Sequence, residues 1–111
     1  MDKPQIDTAL PFNQQLKAWY DYLDAFINAE EKTKTVADLP AWVAEVNSAI
    51  LNPIEALFKS KYGNQLPIKV QPLETNPKVK RDDHLKRLKA NRYNLFNYQR
   101  QAYLEEMGDL S

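Results

Sequence analysis

The sequence predicts an all-α fold, a compact domain of three to four helices. The chain has only 2 glycines against 7 prolines, and β-branched runs are scarce, so the turns and strands of a many-stranded sheet are missing. Apolar residues also recur at helical spacing in three separate stretches. A length of 111 residues with 43% hydrophobic residues suits one domain with its own core.

The first helix is predicted over residues 11–31. Its apolar residues recur at intervals of three and four, which places them on one face, while Lys17 and Asp24 lie on the other. The apolar set is Phe12, Leu16, Trp19, Tyr20, Leu23, Phe26 and Ile27. Residues 1–10 show no such period and contain Pro4, so we expect an irregular arm there.

A second helical stretch is predicted over residues 38–62. Asp38 is a suitable N-cap, and Pro40 lies near the first turn, where its missing amide costs little. Gly63 follows this stretch and is expected to end the helix in a left-handed conformation. The inner stripe consists of Leu39, Val43, Val46, Ile50, Ile54 and Leu57.

Pro53, in the middle of this stretch, predicts a kinked or split helix. A proline removes an amide donor and clashes with the carbonyl four residues earlier, here that of Ala49. Asn52 and Glu55 also match a capping box, which would begin a new helix. Because the apolar stripe keeps its phase across Pro53, the two parts are expected to lie nearly in line.

Residues 64–81 are predicted to be an extended, proline-rich connection. Pro67, Pro72 and Pro77 exclude a continuous helix, and polyproline-like packing across the helices is favoured. Residues 68–70 also have the composition of one short strand, but the chain offers no second strand to pair with it. Such a strand would pair at its edge with another copy of the chain or with another protein.

The last helix is predicted over residues 82–107. Asp82 and Asp83 are suited to capping its first amides, and Gly108 is suited to ending it. Projection at about 100° per residue gives one broad apolar face, which is expected to pack on the earlier helices. Its members are Leu85, Leu88, Leu95, Phe96, Ala102, Tyr103 and Met107.

Charge is distributed unevenly, although the formal net charge is zero. Residues 1–66 carry 6 basic and 9 acidic residues, a net of −3, whereas residues 67–111 carry 9 and 6, a net of +3. A solvated charged face is the simplest interpretation of the basic span 78–92, and contact with phosphates or an acidic partner is the alternative. The candidate contact residues are Lys78, Lys80, Arg81, Lys86, Arg87 and Lys89.

The second half of the last helix carries residue types that are common in protein interfaces. Aromatic rings contribute area at low entropic cost, and arginine supplies forked donors. The candidate interface residues are Arg92, Tyr93, Tyr98, Gln99 and Arg100. Arg92 and Gln99 fall within the apolar stripe, which favours one of two arrangements. Either the two residues form a seam with a partner or second copy, or the stem of Arg92 packs while its head reaches solvent or an acidic residue of the first helix such as Glu30. The outer face is expected to continue with Asn91, Asn94, Asn97, Tyr98 and Gln101.

The sequence contains no recognisable catalytic or metal-binding set. Since there are 0 cysteines, thiolate nucleophiles, disulfides and cysteine metal sites are excluded. His84 lies beside Asp82 and Asp83, but neighbouring residues at a helix start point in different directions, so capping by an aspartate is favoured over a metal site. We therefore expect no enzymatic activity, no cofactor and no bound metal.

These features favour a non-enzymatic binding function. We expect a small intracellular regulator or inhibitor that docks its basic, tyrosine-bearing last helix on a protein or a nucleoprotein complex. The alternatives are weakly specific nucleic-acid binding by residues 78–92 and a self-assembling subunit such as a homodimer. No apolar run approaches the roughly 20 residues that span a bilayer, and none resembles a signal peptide, so we expect no membrane contact and a cytoplasmic location.

Overall fold

The computed structural model describes residues 9–33 and 36–110, with side chains in the last helix as far as Leu104. Within these residues the chain forms helices and irregular connections but no strand, so the predicted all-α class is confirmed. The helices are α1 (Phe12–Glu31), α2 (Leu39–Val46), α3 (Asn52–Tyr62) and α4 (Arg81–Leu110). Of the irregular arm predicted at residues 1–10, residues 1–8 lie outside the described part.

α1 buries the apolar face that the sequence predicts. Leu16, Leu23 and Ile27 are completely enclosed, and the aromatic residues of the same stripe pack against the core. A fully buried side chain of this kind contributes about 1.5–3 kcal/mol relative to an exposed one. Pro11 precedes the helix with φ −56° and ψ 152°, and its carbonyl accepts amide hydrogen bonds from the first turn.

α2 begins as the sequence predicts. The carboxylate of Asp38 accepts a hydrogen bond from the amide of Ala41 at 3.2 Å, which satisfies one of the free amides at the helix start. Pro40 lies in the first turn, where no intrahelical donor is lost. Val43 and Val46 project inwards and are buried in the core.

A π-helical turn, Asn47–Leu51, joins α2 to α3. In this turn the amide of Asn52 bonds to the carbonyl of Asn47, five residues earlier. The turn directly precedes Pro53, which has no amide to offer the carbonyl of Ala49. π-Helical turns occur as single insertions inside α-helices, and here the insertion lies where the α-helical bonding pattern lacks a donor.

The predicted capping box of Asn52 and Glu55 is wrong. An N-cap residue has non-helical dihedrals, whereas Asn52 has φ −64° and ψ −42° and lies inside a continuous helical run. Glu55 instead pairs with Lys59, one turn further along α3, at 3.0 Å. The chain therefore passes from α2 into α3 without a connecting loop, and the kink itself stays a prediction.

Gly63 ends α3, as expected. Its amide bonds to the carbonyl of Lys59 at 2.9 Å, and its φ of 67° is positive. Its ψ is −130°, so the residue lies outside the left-handed helical region that the sequence predicts. This combination is open mainly to glycine, because a side chain would clash with the backbone.

α4 is longer at both ends than the sequence predicts. It begins at Arg81, so Asp82 and Asp83 lie in the first turn, where their negative charges favour the positive end of the helix dipole. The predicted end before Gly108 is wrong, because α4 continues to Leu110. Glycine inside a helix costs only about 1 kcal/mol relative to alanine, so it weakens a helix without necessarily ending it.

α1 and α4 run antiparallel. Residues near the start of α1 contact the middle of α4, and residues at its end contact the start of α4. The contacting pairs are Phe12 with Tyr98, Tyr20 with Phe96, Asp24 with Arg92, and Glu30 with Arg81. Further along α4, Arg100 and Tyr103 line an open groove together with Lys17 and Tyr20 of α1.

Two asparagines attach the connection 64–80 to the helices. The side chain of Asn47 donates to the carbonyl of Leu73 at 3.0 Å and accepts from its amide at 2.7 Å. Asn91 makes the same two hydrogen bonds with Gln71, both at 2.8 Å. The side-chain amides thus satisfy backbone groups that a neighbouring strand would otherwise bind. The short strand considered at residues 68–70 is not formed.

Candidate functional site

Three of the six candidate contact cations have acidic partners within the chain. The pairs are Arg81 with Glu30 (3.1 Å), Arg87 with Glu74 (3.4 Å) and Lys89 with Glu31 (2.7 Å). The last pair also holds the pKa of the Glu31 carboxyl below its ordinary value of 4.5. The exposed residues Lys78, Lys80 and Lys86 form no ion pair with the described carboxylates. The positive potential of the span is therefore partly neutralised.

Arg81, at the start of α4, binds the end of α1. Its guanidinium donates to both the carboxylate and the backbone carbonyl of Glu30, and it lies 6.0 Å from the ring of Trp42. Its side chain is 14% exposed, so the ion pair is largely shielded from water. A cation at the carboxyl end of α1 also favours the negative end of that helix dipole.

Arg92 forms an intrachain ion pair, although the partner differs from the Glu30 suggested by the sequence. Its guanidinium donates to the carboxylate of Asp24 at 2.9 Å and approaches Asn28 at 3.5 Å. Glu30 lies closer to the end of α1, where Arg81 binds it. Gln99, the other polar residue of the stripe, is half-buried.

Tyr98 lies in an aromatic cluster. Its ring packs edge-on against Phe58, with centroids 5.1 Å apart, and against Phe12 and Tyr62 at slightly greater distances. Its hydroxyl forms a hydrogen bond with the hydroxyl of Tyr62. The structure therefore separates Tyr98 from Tyr93 and Arg100, which are exposed.

The second half of α4 presents an exposed aromatic face. We define this aromatic face as Tyr93, Phe96, Arg100, Tyr103 and Leu104. The four apolar members are 65%, 48%, 60% and 55% exposed, in the order Tyr93, Phe96, Tyr103 and Leu104. At about 100° per residue all five fall within an arc of about 100°, so they share one side of the helix.

The prediction that Phe96 and Tyr103 pack in the interior is wrong. Leu85, Leu88 and Leu95 of the same predicted face are buried in the core, where α1 packs along α4. Phe96 contacts Tyr20 only at a ring-centroid distance of 6.4 Å, and Tyr103, two turns further along α4, lines an open groove with Lys17 and Tyr20. Ala102 is half-buried, and the side chain of Met107 lies outside the described part.

The amide residues predicted on the outer face of α4 divide into two groups. Asn97 and Gln101 are exposed, as expected. Asn91 is 3% exposed and bonds to Gln71, so its expected exposure is wrong. Asn94 approaches the carbonyl of Lys69 at 3.4 Å.

Sequence reasoning also missed the role of Asn47. A signal was present, because a polar residue directly follows Val46 of the inner stripe, but its backbone partner Leu73 is 26 residues away. No local pattern identifies such a partner.

His84 is buried at the start of α4. It is 2% exposed, and its ring centroid lies 6.2 Å from that of Trp42. Burial lowers the pKa of His84 below its ordinary value of 6.5, and the nearby Arg87 adds to this effect. Asp82 and Asp83 are exposed, and no group of three or more potential metal ligands occurs among the described residues.

No protein-family model, no curated protein and no solved structure matches this chain. Within residues 9–33 and 36–110, no helix has both the length and the apolar character that crossing a membrane requires. The exposed aromatic face and the partly paired cations are therefore the features from which a function is inferred.

Proposed function

We propose that this chain is a non-enzymatic binding protein that docks on a protein partner through the aromatic face of α4, as a regulator or an inhibitor. The observation that carries the proposal is the exposure of Tyr93, Phe96, Tyr103 and Leu104 on one side of a helix. A helix that belonged only to the core would direct these side chains inwards. Their exposure supports a surface that is completed by another molecule.

The size of the aromatic face supports an interface. An aromatic side chain buries about 150–250 Å² when it is enclosed, so the three rings leave roughly 350 Å² in contact with water at their observed exposures. Patches of a few hundred Å² are often functional on soluble proteins. Tyr93, Tyr103 and Arg100 are also the residue types that dominate binding energy in protein interfaces.

Nucleic-acid binding by residues 78–92 is less supported. Arg81, Arg87 and Lys89 have intrachain carboxylate partners, so phosphates would have to compete with them. Lys78, Lys80 and Lys86 are exposed and remain the best candidates for phosphate contact. Three such contacts would give only moderate, strongly salt-dependent affinity.

The experiment is affinity capture from the host lysate with three forms of the full chain. They are the unchanged chain, the Phe96→Ser/Tyr103→Ser variant, and the charge-reversed Lys78→Glu/Lys80→Glu/Lys86→Glu variant. Each substituted side chain is exposed, so all three forms should have the same helix content and thermal stability. Each capture is repeated after nuclease treatment.

If a protein docks on the aromatic face, the unchanged chain and the charge-reversed variant should both capture it, and the serine variant should not. Nuclease treatment should not release the captured protein. Loss in the charge-reversed variant and after nuclease would instead support the nucleic-acid alternative. Self-assembly predicts a mass by light scattering that rises with concentration and falls to that of one chain in the serine variant. Equal capture by the serine variant and the unchanged chain would refute the proposal.

A further inference from the structure

A small pocket lies between α2, the connection 64–80 and the start of α4. Its volume is about 140 Å³. Leu39, Val43 and Ala44 line one side, Pro77 belongs to the connection, and His84 is contributed by α4. The walls are therefore mostly apolar, and the polar groups among them belong to Glu74, Thr75, Asn76 and His84. This pocket is far along α4 from the aromatic face, which begins at Tyr93.

His84 has hydrogen-bonding capacity that the described chain does not use. No hydrogen bond joins either of its ring nitrogens to another described residue, although the side chain is 2% exposed. Among the described residues, the side-chain atoms that are fully enclosed and lack a partner include Trp42 Nε1 and Arg81 Nε. The ring nitrogens of His84 do not belong to this group, so a small molecule can reach them. Asn91, the other buried polar residue, has both ends of its amide bonded. A neutral imidazole provides one donor and one acceptor, and burial favours this neutral form.

The pocket offers no unpaired charge to a ligand. Glu74 is the one charged residue among those that line it, and its carboxylate binds the guanidinium of Arg87 at 3.4 Å. Burying an ion beside these apolar walls is unfavourable when no oppositely charged partner accompanies it. The lining therefore selects against charged ligands.

We infer that this pocket binds a neutral molecule of about the size of one aromatic ring that forms a hydrogen bond with His84. The size follows from the volume, since an apolar cavity of about 150 Å³ accommodates benzene. The hydrogen bond follows from the unused imidazole, because a ligand with a hydroxyl group satisfies it where a hydrocarbon does not.

The test is an NMR titration of the full ¹⁵N-labelled chain with phenol and, separately, with toluene, which has a similar shape but no hydroxyl group. We expect phenol to shift the amides of Val43, Ala44 and Thr75 and to bind about fivefold more tightly than toluene, as one net hydrogen bond predicts. In His84→Phe, which keeps a buried ring but no hydrogen-bonding group, the two affinities should become equal.

The paired variants Ala44→Phe and Ala41→Phe test the location. Both alanines are exposed and lie in α2, but only Ala44 lines the pocket, so Ala44→Phe should abolish the shifts and Ala41→Phe should keep them. Absence of shifts at about 10 mM phenol, which covers millimolar affinity, would overturn the inference. So would equal affinities for phenol and toluene in the unchanged chain, or persistence of the shifts in Ala44→Phe.

N-acetyl-tyrosinamide, tested in parallel, distinguishes two sources of the same ring chemistry. If it binds more tightly than phenol, the ring belongs to a tyrosine of another polypeptide. If phenol alone binds, the ligand is a free small molecule.

Discussion

The side-chain amide of Asn91 and the backbone of Gln71 form a closed pair of hydrogen bonds, each 2.8 Å long. The pair joins α4 to a connection that has no secondary structure of its own. Asn47 and Leu73 repeat the arrangement two residues further along the connection. The position of residues 64–80 therefore depends on side chains of the helices rather than on a second strand.

Replacing Asn91 by Ala should cost about 2–3 kcal/mol in the free energy of unfolding, because it leaves the amide and the carbonyl of Gln71 without partners. Asn94→Ala is the matched control on the same helix. Its contact with Lys69 is 3.4 Å long and exposed, so we expect a loss below about 0.5 kcal/mol. Urea unfolding at neutral pH measures both values, and equal losses would contradict the role assigned to Asn91.

Arg81→Met should destabilise the fold by about 2 kcal/mol, because it leaves the shielded carboxylate of Glu30 without its charged partner. Lys89→Met removes the neighbouring ion pair with Glu31. In that pair the side chains are 46% and 42% exposed to water, which screens the charges, so the loss should be clearly smaller than that of Arg81→Met. Thermal or urea unfolding of the two variants compares a shielded with an exposed pair at adjacent positions of α1. A larger loss for Lys89→Met would show that burial does not determine the difference.

Stability should fall as the pH is lowered through the ordinary pKa of histidine. The pKa of His84 is lowered in the folded chain, first by burial and then by Arg87, against the opposing charges of Glu74 and Asp83. Below pH 6.5 the unfolded chain therefore binds a proton that the folded chain does not, and stability decreases until the folded pKa is reached.

Melting temperatures at about pH 7.5 and pH 5.5 test this effect, and His84→Phe should reduce the difference between them. The chain has 1 histidine, so no other histidine titrates in this interval. The contribution of Glu31, whose pKa is lowered by Lys89, is present above 4.5 and is lost only as the pH falls below that value. An unchanged pH dependence in His84→Phe would contradict the assignment to His84.

Leu95→Ala and Phe96→Ala should differ strongly although the residues are adjacent. Leu95 is 1% exposed, and its truncation should cost about 3 kcal/mol through lost burial and the resulting cavity. Phe96 belongs to the aromatic face, so its truncation should cost less than about 1 kcal/mol. Urea unfolding of the isolated chain measures both. Equal costs would mean that the aromatic face packs inside the fold.

Local patterns predicted those parts of the fold that depend on neighbouring residues. The spacing of Leu16, Leu23 and Ile27 predicted the buried face of α1, and Asp38 with Pro40 predicted the start of α2. Gly63 was correctly placed at the end of α3. The capping box at Asn52 was wrong because Asn47–Leu51 forms a π-helical turn that keeps Asn52 inside a helical run; Pro53 indicated where the helical bonding is interrupted but not the form of the interruption.

The candidate site was predicted less well, because residue type does not specify a distant partner. Tyr93 and Arg100 are exposed, as an interface requires, but Tyr98 joins an aromatic cluster formed with Phe12 and Tyr62. Arg92 fell within the apolar stripe, yet the choice of Asp24 as its partner depends on how α1 and α4 align.

The sequence by itself determined the helical class, the apolar faces of α1 and α2, and the concentration of cations in residues 78–92. These properties arise from spacing and composition, which are local. Tertiary structure decided that Asn91 and His84 are buried, which cations are paired, and that Phe96 and Tyr103 are exposed on α4. A helical projection gives the direction of a side chain around its own axis, but the antiparallel register of α1 and α4 determines whether another helix covers it.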